Sequence, residues 1–263
     1  MTDLPLISII TPSFNQANFI EETILSVLNQ NYPNLEFIVV DGGSTDQTQE
    51  ILRKYEHRLT WISEPDDGQA NAINKGLRLA HGEVLAYLNS DDYYLPGTLL
   101  KVGTYFAENP QAHWLSGYCL NVDEQGQQIR QLIRQYKNFW LNTRSYKALL
   151  VLNYIAQPAT FWRSGLTEKL GYLDENLNYT MDYEYWLRIG SQHRLHVIRE
   201  DLAAFRLHHE SKSGNTANKQ FEEQLRNAQV YANPFLIRLH KLHNGLATGI
   251  YKHLLGISKA ERD

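Results

Sequence analysis

From Leu6 to Leu88, short apolar runs alternate with segments whose apolar residues recur at helical spacing. Residues 6–10 are apolar and β-branched and stop at Thr11-Pro12-Ser13, which predicts a buried strand. Phe19, Ile20, Ile24, Val27 and Leu28 then share one face of a helix that Tyr32-Pro33-Asn34 ends. Residues 35–40 predict a second strand, stopped by Asp41-Gly42-Gly43. Thr48, Ile51, Leu52 and Tyr55 mark the next helix, with Ser44 or Thr45 as its N-cap. Residues 59–63 follow as a third strand. Ala70, Ile73, Leu77 and Ala80 line a third helix, and residues 83–88 read as a fourth strand.

Strand and helix in alternation predict a parallel sheet covered on both faces. Ligands of such sheets bind outside the carboxyl ends of the strands. The polar groups at 11–15, 41–46, 66–69 and 89–92 each follow a predicted strand, so they are expected to converge on one rim. Beyond residue 97 the pattern changes. A helix around 99–106 precedes a strand at 114–120, and a turn at Asp123–Gly126 leads residues 127–133 back as a hairpin. Residues 140–190 read as mostly helical with a break at Gln157-Pro158, and 195–198 as a late strand. No internal repeat or low-complexity tract interrupts this order.

Composition narrows the class rather than the function. A chain of 263 residues with 43% hydrophobic and 21% charged residues is ordinary for a globular domain with at most a small appendage. A net charge of -4 argues against a nucleic-acid partner. The single cysteine, Cys119, makes no internal disulfide and fits a reducing compartment. Residues 1–5 lack a basic leader, and no apolar run is long enough to cross a bilayer, so the expected location is cytoplasmic.

Four segments carry a resemblance. Ser8-Ile-Ile-Thr-Pro-Ser-Phe-Asn15, Val39-Val-Asp-Gly-Gly-Ser-Thr-Asp46, Leu88-Asn-Ser-Asp-Asp92 and Thr180-Met-Asp-Tyr-Glu-Tyr-Trp186 resemble, in order, the motifs of glycosyltransferase family 2. The resemblance covers residues 6–213. It implies an α/β GT-A (Rossmann-like) fold: a mostly parallel central sheet flanked by helices, with a small hairpin and helical region on the acceptor side. It divides the chain into a glycosyltransferase domain at 1–213 and a C-terminal helical extension at 214–263. The domain's nucleotide-binding half is 1–96 and its acceptor-side half 97–213. The implied activity is metal-dependent, inverting transfer of a sugar from a nucleotide-diphosphate donor to a glycan or lipid-linked acceptor, in cell-surface polysaccharide synthesis.

By that resemblance, Asn89-Ser90-Asp91 stands where the family carries its D-x-D motif. Asp91 then supplies a carboxylate to Mn2+ or Mg2+, the ion that neutralises a leaving diphosphate. Asn89, in place of an acid, shifts to hydrogen bonding with ribose or sugar, with Ser90 beside it. The plainer reading of 89–92 is a turn with Asx capping. Asp41 accepts hydrogen bonds from base or ribose, and Pro12, Phe14 and Asn15 line the base side, where aromatic faces suit a nucleobase. Gly42 stands where relatives often have a second acid. Asp67 and Gln69 lie near the donor ribose or diphosphate, although Asp66 or Asp67 also suits a helix N-cap. Asp182, at a helix start where the dipole favours a carboxylate, aligns with the family's general base, and Met181 replaces the acid before it. Glu184 reads as structural. His208 joins the metal shell, the plainer reading being a lone surface histidine, while Arg206, Lys212 or the serines at 211 and 213 hold phosphate oxygens.

Two rivals remain in the sequence. A sugar-phosphate nucleotidyltransferase needs a glycine-rich basic loop after the first strand, and residues 11–15 offer neither glycine nor base. Asn74-Lys75-Gly76 lacks the upstream spacing of a P-loop. A non-catalytic nucleotide-sugar-binding module is compatible with Asn89, Gly42 and Met181, but retention of Asp91 and Asp182 counts against it. The C-terminal stretch from Phe235 to Ile257 interleaves leucines with Arg238, Lys241 and Lys252. It fits peripheral membrane association, packing on its own domain, or a homodimer contact.

Overall fold

The computed structural model describes residues 3–209 and 217–254. The N-terminal half follows the predicted alternation: β1 (Ile7–Ser13), α1 (Ile20–Leu28), β2 (Leu35–Asp41), α2 (Thr48–Tyr55), β3 (Thr60–Ser63), α3 (Gln69–Leu79) and β4 (Val84–Tyr87). β2 and β4 flank β1 and β3 flanks β2, all parallel, so their carboxyl ends share one edge. β1 runs on through Thr11, Pro12 and Ser13, which pair with β2 rather than forming a loop. Proline is tolerated there because β4 leaves the ladder at the Ile10–Tyr87 pair. The N-cap expectation for α2 is corrected: Gln47 holds that position, and Ser44 turns inward instead.

The second half departs further from the pattern. It comprises β5 (Tyr93–Tyr94), α4 (Thr98–Glu108), β6 (Trp114–Val122), α5 (Gln131–Thr143), α6 (Tyr146–Leu149), a 3-10 turn (Gln157–Ala159), β7 (Thr160–Arg163), α7 (Ser164–Leu170), α8 (Met181–Gly190) and β8 (His196–Arg206). One eight-stranded sheet results, ordered β3-β2-β1-β4-β7-β6-β8-β5. The expected hairpin after β6 is a single bridge, Val122 to Gln128. Arg130 then takes a left-handed φ of 53°, and the chain enters α5. β6 finds its partners far away instead, antiparallel to β7 and parallel to β8. β7 interrupts the stretch read as helical; four residues are too few to show a period. β8 extends eight residues beyond Ile198 because polar Arg199-Glu200-Asp201 accompany a register shift opposite Gly117 and Tyr118.

Successive residues of β1 serve opposite faces. Ile7 and Ile9 pack with Ile24, Val27, Leu99 and Phe106, whereas Ile10 packs with Ile73, Trp162 and Trp186. α3 lies so close over β1 that a Cβ at Gly76 would come within 2.4 Å of Ile10 Cγ2. Its neighbour Asn74 binds both backbone groups of Leu173 at 2.9 and 3.0 Å. Asn74-Lys75-Gly76 is therefore a packing device.

Two further helices, Ala217–Gln229 and Pro234–Leu254, follow. They dock on the domain: Glu223 accepts hydrogen bonds from the backbone N–H groups of Asn178 and Tyr179 and from the Thr180 hydroxyl, and His240 meets the Leu150 carbonyl at 2.8 Å. The boundary expected at residue 213, and Ser211, Lys212 and Ser213 with it, lie outside the described residues, as does the end of the stretch to Ile257.

Candidate active site

The four polar segments meet at the carboxyl edge of β1–β4. Asn15, at a left-handed φ of 52°, receives a hydrogen bond from Thr45 N–H on its Oδ1 and donates its own N–H to Ser44 Oγ at 2.7 Å. Asp41 is fully buried. Its carboxylate takes the Ser44 N–H at 2.9 Å, the Ser44 hydroxyl, and the Ser63 hydroxyl at 2.6 Å. A buried carboxylate needs such donors, and here the protein itself supplies them. Pro12 is buried beneath this loop, while the Phe14 ring is 58% exposed at the edge. Asp67 is exposed, its N–H reaching only the Asn71 side chain. No carboxylate caps α3, whose N-cap is Gly68; Asp66 instead accepts the Gly68 N–H at 2.8 Å.

At the end of β4 an amide chain forms. Gln69 donates to Asn89 at 2.7 Å, Asn89 donates towards Asp92 and Gln157, and Gln157 donates to the Tyr87 carbonyl at 2.6 Å. Ser90 is buried and its carbonyl accepts the Thr23 hydroxyl. Asp91 lies beside His208, with Oδ2 and Nε2 2.9 Å apart, and the imidazole rests on Phe19 at 4.7 Å. Both metal candidates are thus brought together although 117 residues separate them. The cause is the β5–β8 pairing, Tyr93 with Ala204, which lays the end of β8 against the residues after β4. A carboxylate oxygen and an imidazole nitrogen at this spacing suit a divalent ion. Glu124, His208 and His209 also place ligand atoms within 4.8 Å of one another, beside a cavity of about 340 Å³ that Arg130 helps to line.

Arg206 has a different place from the one expected. Its guanidinium donates to the Asp91 carbonyl at 3.0 Å, the Glu124 carbonyl at 2.9 Å and the Glu22 carboxylate, and lies over Phe19 and Tyr93. Its N–H binds Asp92 Oδ1 at 2.9 Å. All three guanidinium nitrogens therefore serve protein acceptors. Arg206 clamps the loop rather than presenting a free cation to phosphate. Asp92 is fully buried, and burial together with the Asp91 charge pushes its carboxyl well above the usual carboxylate range.

Asp182 is the second residue of α8, after N-cap Thr180. The helix buries Met181, Tyr183, Tyr185, Trp186, Leu187 and Ile189, leaving Asp182 half-buried. Burial raises its carboxyl above the usual range; the N–H groups of Tyr183 and Asp182, the Lys137 ammonium and the Asn153 side chain partly counter this. Burial also pulls the Lys137 ammonium below its usual value. Tyr87, the last residue of β4, feels the charges of both Asp182 and Asp92. Charges from both halves of the chain therefore reach the end of β4. Glu184 pairs with Arg188, as its structural reading implied.

Comparison with known proteins fixes the family. The family model described as glycosyl transferase family 2 matches residues 8–168, more than half of the chain. This chain belongs to that family. An uncharacterized glycosyltransferase of Rickettsia typhi is 30% identical over 222 residues, covering 83% of this chain and 69% of that one. A Bacillus subtilis protein named for teichuronic acid biosynthesis, TuaG, is 40% identical over 125 residues, 46% of this chain and 49% of its own. The mannosyltransferase PcManGT of Pyrobaculum calidifontis, solved with GDP-Man and Mn2+, superposes with a TM-score of 0.67 at 20% identity, over 94% of this chain and 76% of that one. That likeness shows the GT-A fold.

Within this family-2 chain, each departure from the motifs has a local account. Asn89 is the hub of the amide chain. At Gly42 a Cβ would lie 2.5 Å from Asp66 Oδ2, so the carboxylate of Asp66 fills the space a second acid would need. Met181 is buried among Tyr183, Trp186 and Leu187, where an acid would be desolvated. Sequence reasoning missed Glu124 and Lys137, which gain meaning from partners remote in the chain. It singled out Gln157 and held Asp92 within the motif at 88–92, but gave neither a role in the amide chain.

Proposed function

We propose that this glycosyltransferase moves a sugar from a nucleotide-diphosphate donor to an acceptor hydroxyl with inversion, and that Asp182 is the general base. The placement of Asp182 carries the reading: a half-buried carboxylate of raised basicity, at a helix start, whose charge reaches Tyr87 at the end of β4. Asp91 and His208 would hold the divalent ion, with Glu124 beside them, and the ion supplies charge neutralisation of the departing diphosphate. PcManGT, solved with GDP-Man and Mn2+, supports both a nucleotide-sugar donor and the ion.

Phe14 offers the base a face, with Pro12 beneath and Asn15 and Asp41 fixing the loop. Gln69, Asn89 and Ser90 form the floor towards ribose and sugar, with Asp67 at its exposed margin. The acceptor oxygen bonds to the anomeric carbon as the bond to phosphate breaks, and its proton passes to Asp182. A single displacement with base and leaving group on opposite sides inverts the centre. TuaG's name supports a role in cell-surface glycan synthesis. The test is a panel of UDP-, GDP- and dTDP-sugars with Mn2+, read by thermal shift and diphosphate release. Wild-type transfer by Asp182→Asn would remove the base from the proposal.

A further inference from the structure

Outside the cleft, α5 is amphipathic in the reverse sense. Leu132 is 80% exposed, Phe139 64% and Tyr136 44%, all on the outward face, while Leu141 is buried and Lys137 half-buried on the inward one. Arg134 turns to Asp201 in an ion pair. The helix Pro234–Leu254 continues this surface, since the His243 ring stacks on Tyr136 with centroids 6.2 Å apart and planes within 9°. Its Leu242 and Leu246 are 61% and 62% exposed. Exposed Arg238 and Lys241 border that pair of leucines. Neither helix contains one acidic residue, although the whole chain carries a net charge of -4. No described helix is long and apolar enough to cross a membrane.

We infer that α5 and the helix Pro234–Leu254 together form a docking face for an anionic lipid surface, with Leu132, Phe139, Leu242 and Leu246 entering the headgroup boundary and Arg238 and Lys241 meeting lipid phosphates. Apolar side chains bordered by cations, with no anion to repel the bilayer, are the requirement for peripheral binding. A second copy fits less well. A two-fold contact lays the patch against itself, so the cations of both copies would be crowded together without an acid to answer them. α5 also joins the face to the reaction. Its inward residue Lys137 interacts with the charge of Asp182, so the face and the proposed base lie on opposite sides of one helix. That last link rests on the function proposed above; the lipid contact does not.

Vesicle flotation tests the contact without turnover. The full chain is expected to float with phosphatidylcholine vesicles containing about one-third phosphatidylglycerol and to stay behind with phosphatidylcholine alone. Leu132→Ser/Phe139→Ser and Arg238→Glu/Lys241→Glu should each weaken flotation by about tenfold or more, with Tm and diphosphate release on a water-soluble acceptor unchanged. Failure of wild type to bind anionic vesicles at low salt overturns the inference. So does binding that both double variants retain, or a dimer in sedimentation that Leu132→Ser/Phe139→Ser dissolves.

Discussion

The end of β4 and the start of α8 present two acids in contrasting surroundings. Asp91 is set in a crowd of polar partners: an imidazole on its carboxylate, a guanidinium on its carbonyl, and a buried acid, Asp92, beside it. Asp182 stands on a helix whose buried residues are aromatic and aliphatic, and burial lifts its carboxyl. The difference suits different tasks. A ligand for a cation gains from neighbours that fix its oxygens, whereas a proton acceptor gains from being desolvated until its basicity rises. Asp92 takes the buried place beside Asp91, where burial and the Asp91 charge push its carboxyl up.

The strongest attempt to break this contrast is Asp182→Asn. Transfer should fall by about 10²–10⁴-fold while the donor Kd, measured calorimetrically with Mn2+, stays near wild type. Asp91→Ala should act the other way round. Loss of one charge-assisted contact weakens Mn2+-dependent donor binding by about ten- to a hundredfold, and the effect should vanish when the ion is chelated. Arg206→Lys probes the clamp: an ammonium cannot reach the Asp91 and Glu124 carbonyls and Glu22 together. A loss of about 2 kcal/mol, seen as a Tm lower by about 4–8 °C, is expected. The pH profile set by Asp182 should not move. Lys137→Met sharpens the other side. The ammonium favours the ionised carboxylate of Asp182, so its removal raises that group further. The acidic limb of the kcat profile, where the base becomes protonated, should then move to higher pH. A limb that stays in place would detach Lys137 from the base.

Particular elements show what was legible beforehand. β1 to β4 and their helices stood in the apolar periods, and the parallel order that follows predicts convergence of Asn15, Asp41, Gln69 and Asn89. The hairpin after β6 was misread because Gln127–Ile133 has strand-like composition, and nothing local reveals that β7 and β8 take the positions beside β6. Likewise Arg206 looks like a phosphate ligand until its three acceptors, on α1, after β4 and after β6, are seen around it.

By itself the sequence determined the alternating α/β half, the family motifs and the identity of the acids at 41, 91 and 182, because strand and helix periods and loop chemistry are local properties of the chain. Tertiary structure decided which side chains share a surface: His208 against Asp91, Lys137 near Asp182, Asp66 over Gly42, and α5 with its apolar side outward. Those pairings depend on strand order and packing between segments up to 117 residues apart, and no local period encodes them.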